Sequence, residues 1–341
     1  MSQPTTGRSQ HSSRPIAIYY EHPDWFRPLF QQLDAKGVHW KKIDAREHSY
    51  RAGVLEEEYA LVFNRMSPSA WKRGLGHAVF YTLDYLKHLE SLGVRVVNGS
   101  WAFANEISKA RQLELLASLG LPYPKARVIN HANQALCAAD EIGYPLVVKP
   151  NIGGSGAGII RFSNPKELRA AVAENQLYFG IDSTALVQEF FPARDSVITR
   201  VEVLGGKYLY AIQIHTTGET FDLCPADICQ NTRGEALTRG ACALDAPKTG
   251  LKVEAYQPPR QVIEEVERIM ATAGVEVGGI EYVIDDRDGR QLYYDINALS
   301  NFVADPERVV GFNPYERLTD YLVAQARDAA PPTLAVAGKP Q

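Results

Sequence analysis

The sequence predicts an α/β fold that becomes α+β in its later part and is built as three units. Three observations predict it. Strand-like and helix-like patterns alternate through the first hundred residues. A glycine-rich stretch lies between two strands and does not open a helix. Two tight hairpins follow in the second half. The chain has 341 residues, which allows two or three domains at roughly 100–200 residues each. Hydrophobic residues make up 45% and charged residues 22%. That is enough apolar surface for a sizeable core, and it excludes global disorder.

The elements follow in order. The run 15–20 (PIAIYY) reads as a strand, and Trp25–Lys36 as a helix closed by Gly37, with Phe26, Leu29, Phe30 and Leu33 at helical spacing. YALVFNR (59–65) is a second strand, 76–92 a longer helix stopped by Gly93, and VRVVN (94–98) a third strand. This repetition implies a parallel sheet covered by helices. A helix over Glu106–Leu119 is followed by the extended segments LPYPKARVI and YPLVVKP, with the helix Asn133–Ile142 between them. After the glycine stretch come a strand over Gly158–Phe162 and the helix Pro165–Glu174. TALVQEFF (184–191) is extended. Residues 197–214 form a hairpin about Gly205-Gly206, a pair suited to the left-handed turn that hairpins need. Residues 216–256 show little periodicity, and an irregular stretch of that length is more often functional than passive. A helix over 259–273, a hairpin across Asp285–Gly289 and a last helix over 313–327 complete the chain.

Charge and cysteine content narrow the class. Lys and Arg number 36 against 40 Asp and Glu, for a net charge of −4, so no dominant basic surface points to nucleic acid. No apolar run reaches the roughly 18 residues of a membrane span. Residues 1–14 lack the apolar region of a signal peptide and read as a disordered tail. Cys137, Cys224, Cys229 and Cys242 do not make a disulfide scaffold in so long a chain. The expectation is a cytoplasmic protein with reduced thiols and no nucleic-acid or membrane partner.

Two motifs carry chemistry. In VVKPNIGGSGAGI (147–159), Gly153, Gly154, Gly156 and Gly158 surround Ser155. Residues without a Cβ let successive N–H groups converge on an anion. Lys149, at the end of the preceding strand, can neutralise a phosphate oxygen. The lysine precedes the glycines, so the stretch fits neither the Walker nor the Rossmann spacing. A flexible hairpin over phosphates and a plain glycine-rich turn both fit it. The second motif is the C-terminal hairpin. Asp295 and Asn297 lie two apart, hence on one face, and the hairpin can bring Glu281 opposite them. Two carboxylates and an amide oxygen suit Mg²⁺ on phosphates. The competing reading is an acidic solvated face.

Together these motifs resemble the ATP-grasp superfamily of carboxylate–amine ligases over about residues 105–300. Within it they are most similar to the glutathione-synthetase-like group and the ribosomal-protein glutamate ligase-like enzymes. The resemblance implies a three-domain ATP-grasp architecture. Between tails at 1–14 and 329–341 stand an N-terminal pre-ATP-grasp domain (15–104), a central lid subdomain (105–186) and a C-terminal subdomain (187–328). It implies ATP held by Lys109 and Lys149, by a lid at Gly153, Gly154, Ser155, Gly156 and Gly158, and by a hinge at Gln188, Glu189, Phe190 and Phe191. Asp195 would bind ribose. Glu281, Asp295 and Asn297 would ligate one or two Mg²⁺ ions, with Mn²⁺ as a substitute, and Arg200 would stabilise the transferred phosphoryl group. The implied reaction couples a small-molecule or peptide carboxylate to an amine through an acyl phosphate, and relatives often pair as homo-oligomers. A small-molecule kinase and a non-catalytic nucleotide-binding module are the alternatives. The chain departs from the family in having Ser108-Lys109 where many relatives have Asp-Lys. It also has Asp295-Ile296-Asn297 with no Pro-Gly after it.

Weaker signals remain. Arg65 ends a strand where α/β sheets face ligands, and it can clamp a substrate carboxylate or form a salt bridge. His215, Arg233 and Arg239 are further substrate candidates. Cys224 and Cys229 have zinc-like spacing but no second pair, and buried thiols are the better reading.

Overall fold

A computed structural model of the chain describes residues 14–22, 24–154, 156–216 and 252–330. Ser155, Arg233, Arg239, Cys224, Cys229 and Cys242 lie outside the described residues. So do most of the expected irregular stretch and nearly all of both expected tails.

The first sheet is parallel throughout, in the order β2 (Trp40–Asp44), β1 (Ile16–Tyr20), β3 (Leu61–Arg65), β4 (Val96–Val97). Its two faces follow strand periodicity. Ile16, Ile18, Leu61 and Phe63 pack against α1 (Arg27–Ala35), while Ala17, Tyr19 and Val62 pack against α2 (Gly76–Ser91). Residues 40–44 were not expected as a strand, because adjacent Lys41 and Lys42 hide the alternation.

The expected helix over 106–119 is two helices. α3 (Ser100–Glu106) stops, and α4 (Lys109–Ser118) starts afresh with Ser108 as its cap, whose Oγ accepts from Arg111 N–H at 3.3 Å. The second sheet is antiparallel, ordered β5 (Ala126–Ile129), β8 (Ala185–Glu189), β6 (Leu146–Pro150), β7 (Ile160–Phe162). Helices α5 (Gln134–Ile142) and α6 (Pro165–Ala173) cover one face through Leu146, Val148, Ala185 and Val187. The register places Val147, Lys149, Leu186 and Gln188 together on the other face.

The third sheet is ordered β11 (Val253–Tyr256), β10 (Lys207–His215), β9 (Val197–Leu204), β12 (Val277–Ile284), β13 (Gln291–Asn297). Helix α4 and α7 (Arg260–Ala273) pack on the face carrying Val201, Val203, Ile280 and Ile296. Short α8 (Pro306–Val310) and long α9 (Pro314–Asp328) end the described chain. Strand β11 and α8 were not foreseen. Leu318 and Leu322 of α9 join the α1 side of the first sheet, and so do Ile212 and Ile214 of β10. One apolar core therefore binds the first and third sheets.

Candidate active site

The site lies on the face of the third sheet away from α7. Strand alternation puts Ile198, Arg200 and Glu202 of β9 on this face, and the register sets Glu281 of β12 beside Arg200 and opposite Asp295 of β13. A bulge follows. Glu281 pairs with Asp295 while Tyr282 pairs with Tyr293, so Tyr294 is an extra residue. The bulge turns Tyr294 to the same face as Asp295, and the Tyr294 hydroxyl donates to Glu281 Oε2 at 2.8 Å.

Cations meet these carboxylates. Arg200 Nη1 donates to Glu281 Oε1 at 2.9 Å and its Nε to Glu202 Oε1 at 2.6 Å. Gly279 makes room for this pair, since a Cβ there would lie 2.9 Å from Glu202 Cδ and 3.0 Å from Arg200 Nη2. Lys109 Nζ, from the first turn of α4, donates to Asp295 Oδ1 at 2.5 Å. Burial and the nearby Lys109 push the Lys149 ammonium down to about 7, against the pull of Asp295. Burial works against ionisation of Asp295, yet Lys109, Lys149 and Arg200 together hold its carboxyl below the ordinary value. Burial raises Glu281, with Arg200 opposing.

The donor set suits a hard divalent cation. Glu281 and Asp295 face each other across the ladder, and Asn297 is two residues further on the same side. The Asn297 Nδ2 is buried and has no partner among the described residues.

The other expected residues fall as follows. Gly153 approaches Lys109, whose Cε would lie 3.4 Å from a Cβ on it. Gly154 rests on the first unit: its Cβ would lie 2.7 Å from Ser69 Cβ. The N–H groups of Ala157 and Ile159 are taken by Gly154 O and Gly156 O. At the hinge, Gln188 lies inside the ladder between Ala126 and Val147. Glu189 N–H and Phe190 N–H already donate to Lys125 O and Pro145 O. The backbone donors that this segment can offer a ligand are thereby fewer. The Gln188 Oε1 is buried without a partner among the described residues and lies on the face of Lys149. The Glu189 carboxylate is held by Lys125 N–H and by Arg287 Nη2, each at 2.8 Å. Phe191 packs on Tyr294, with ring centroids 5.7 Å apart. Asp195 is exposed at φ 54°.

Two expectations change. Arg65 does end β3, but it is only 2% exposed. Its Nη2 donates to Ser300 O and Asn301 Oδ1, and its guanidinium stacks on Phe26 and Phe63. Burial lowers it to about 10. It pins the loop after β13 and is not presented to an open crevice. His215 shares the face of Ala211, opposite that of Arg200, and its Nε2 lies 2.7 Å from Glu254 Oε1. The structure does not bring it to the cluster.

Sequence reasoning missed several members. Glu202 was legible, since it is two residues from Arg200 on one strand. Glu106 was noted only as the first residue of an expected helix, but it is buried near Arg65 and accepts Leu299 N–H at 3.0 Å. Burial raises it to about 8. Glu21, just past β1, is 2% exposed and paired with Arg73 beside Ser69. Only the position of Glu21 at a strand end could have signalled it.

Comparison with known proteins bears on this geometry. Residues 115–232 match the family model described as D-ala D-ala ligase C-terminus. A D-alanine–D-alanine ligase of Pseudomonas putida (strain GB-1) is 29% identical over 210 residues, covering 61% of this chain and 60% of that protein. A probable alpha-L-glutamate ligase of Haemophilus influenzae is 25% identical over 289 residues, 80% of this chain and 87% of that protein. The chain thus spans about 60% of the length of the D-alanine–D-alanine ligase it matches. Among solved structures, the ATP-grasp ligase PsnB complexed with a minimal precursor aligns with TM-score 0.63 and 21% identity, over 92% of this chain and 99% of that one. The D-cycloserine synthetase DcsG aligns with TM-score 0.64 and 15% identity, over 91% and 99%. The structural neighbours establish the fold. The family model and the ligase relatives add a sequence likeness to carboxylate–amine ligases to the ATP-grasp fold of the structural neighbours.

Proposed function

We propose that the protein is an ATP-dependent ligase that joins a carboxylate to an amine through an acyl phosphate and releases ADP and phosphate. The observation that carries this reading is the contact of Lys109 with Asp295 at 2.5 Å, beside buried Lys149. It joins a phosphate-type lysine on one helix to a metal-type carboxylate 186 residues away in sequence. The domain limits proposed are those expected from the sequence, and the substrates proposed are an amino acid, a peptide or a related small carboxylate, with an amine. The activities for which the D-alanine–D-alanine and glutamate ligases are named support that class, as does the precursor peptide in complex with PsnB.

In this reading Lys109, Lys149 and the Gly153–Gly158 lid hold the ATP phosphates. The orphaned Gln188 Oε1 meets the adenine amino group, the backbone at Glu189–Phe191 flanks the base, and Asp195 reaches ribose. Glu281, Asp295 and Asn297 hold Mg²⁺, as one ion or two, which supplies charge neutralisation on phosphate oxygens. A carboxylate oxygen of the acid bonds to the γ-phosphorus as the bond to ADP breaks. Arg200 offsets the charge on the transferred group. The amine nitrogen then bonds to the acyl carbon, phosphate leaves, and the amine proton passes to solvent. Lid closure on Ser69 keeps water from the acyl phosphate.

The test is a coupled assay over amino acids and dipeptides. A ligase releases phosphate only when acid and amine are both present. A stable phosphorylated product from one substrate alone would indicate a kinase, and nucleotide binding without turnover would indicate a binding module.

A further inference from the structure

Strand β13 is the outer strand of its sheet, and it carries Asp295 and Asn297 on either side of Ile296. The register makes the Ile296 peptide groups point away from β12, because residues in an antiparallel pair alternate between facing the partner strand and facing outward. At a bare edge these groups would be open to water or to another strand. Here a side chain takes them. Gln112 Oε1 accepts Ile296 N–H at 3.1 Å, and Gln112 Nε2 donates to Ile296 O at 2.9 Å. The carboxamide thus stands in for one residue of a neighbouring strand. The same Nε2 also reaches Asn105 O at 3.1 Å, at the end of α3, and the residue is 1% exposed. Gln112 lies one turn after Lys109 on α4, so a single helix supplies the lysine on Asp295 and the amide that fixes the strand bearing Asp295.

We infer that Gln112 is a positioning residue for the divalent-cation site: its paired hydrogen bonds to Ile296 set the spacing of Asp295 and Asn297 and their distance from Lys109. The inference rests on the reading of Glu281, Asp295 and Asn297 as cation ligands. A carboxamide is suited to this place because it offers one donor and one acceptor side by side. Leucine fills the space with neither, and glutamate keeps an acceptor but sets it against the Ile296 carbonyl. Partners that orient metal ligands typically govern 10–100-fold in metal affinity.

The experiment measures Mn²⁺ binding in the presence of ADP by electron paramagnetic resonance, ADP binding without metal by calorimetry, and thermal unfolding. It compares the full chain with Gln112→Leu and Gln112→Glu. The expected result is a loss of Mn²⁺ affinity of about tenfold or more in both variants, with metal-free ADP affinity changed less than threefold. Wild-type Mn²⁺ affinity in a folded variant, whatever its melting temperature, would show that Gln112 only stabilises the fold and would overturn the inference. Absence of Mn²⁺·ADP binding to the wild type would remove the ligand assignment itself, a distinguishable failure that takes this inference with it. Should neither variant fold, hydrogen exchange in the wild type decides. Slow exchange at the Ile296 amide that speeds up more than at its neighbours when ADP and metal are withdrawn supports the clamp, and slow exchange that ignores them overturns its link to the cation. Exchange at the rate of a free edge overturns it.

Discussion

Arg200 shows how much of the site's chemistry is settled by single side chains. It is buried between Glu202 and Glu281, and both contacts are charge-assisted. Removing one member of such a group strands a buried charge, so mutations here mix catalysis with folding. Lys149 and Asp295 give cleaner tests. Replacing either with alanine is expected to abolish substrate-dependent ADP release while circular dichroism stays wild-type-like, and normal turnover in either variant would refute its assignment. Glu106 offers a test by pH. Its carboxyl is raised from 4.5 to about 8 by burial, so between those values the unfolded chain loses a proton that the folded chain keeps. Its contribution to stability is full below about 4.5 and lost as pH rises toward 8, at no more than about 1.4 kcal/mol per pH unit. Urea unfolding at pH 5 and 8 should show wild type losing more stability across that range than Glu106→Gln; parallel losses would mean that Glu106 ionises freely. The surroundings of Glu106 were not legible in sequence, since proximity to Arg65 and exclusion of water arise only when α3 meets β3 and the loop after β13.

At the scale of elements, the bulge in β13 has the largest effect. One extra residue puts Tyr294 beside Glu281 and, through Phe191, in touch with the hinge. The tyrosine hydrogen bond favours the ionised form of Glu281, and Tyr294→Phe removes it. Titration of Mg²⁺ activation is expected to show about a tenfold weaker apparent affinity, with the deficit shrinking as pH rises. An unchanged titration would mean that the hydroxyl is idle. The hairpin itself was readable, because Glu281, Asp295 and Asn297 follow strand periodicity on either side of an obvious turn. The bulge was not, since LYYDIN carries no glycine to mark it. Likewise Lys109 was placed on a helix, whereas the break at Ile107-Ser108 was hidden by apolar residues continuing at helical spacing on both sides.

Across the whole molecule, the glycine stretch meets the turn after β3 directly. Gly154 lies against Ser69, and Trp71 packs on Tyr178 with centroids 5.5 Å apart. A methyl at residue 154 cannot be accommodated without moving Ser69, so Gly154→Ala is expected to raise the KM for ATP several-fold and to increase ATP hydrolysis without coupling. Unchanged kinetics would show that this contact plays no part in closure. The alternation of strands and helices that builds the sheets was legible because each stretch carries its own periodicity. The docking of α9 was not, since its amphipathic stripe says only that some apolar surface awaits it. That surface is the α1 side of the first sheet, reached through Leu318 and Leu322. Roughly 280 residues separate Ala35 from Pro314. At about 5–20 residues per second, a ribosome needs about 15 to 60 s to cover that span. For that time the nascent amino-terminal layer waits with part of its greasy flank bare, and a chaperone has its opening there.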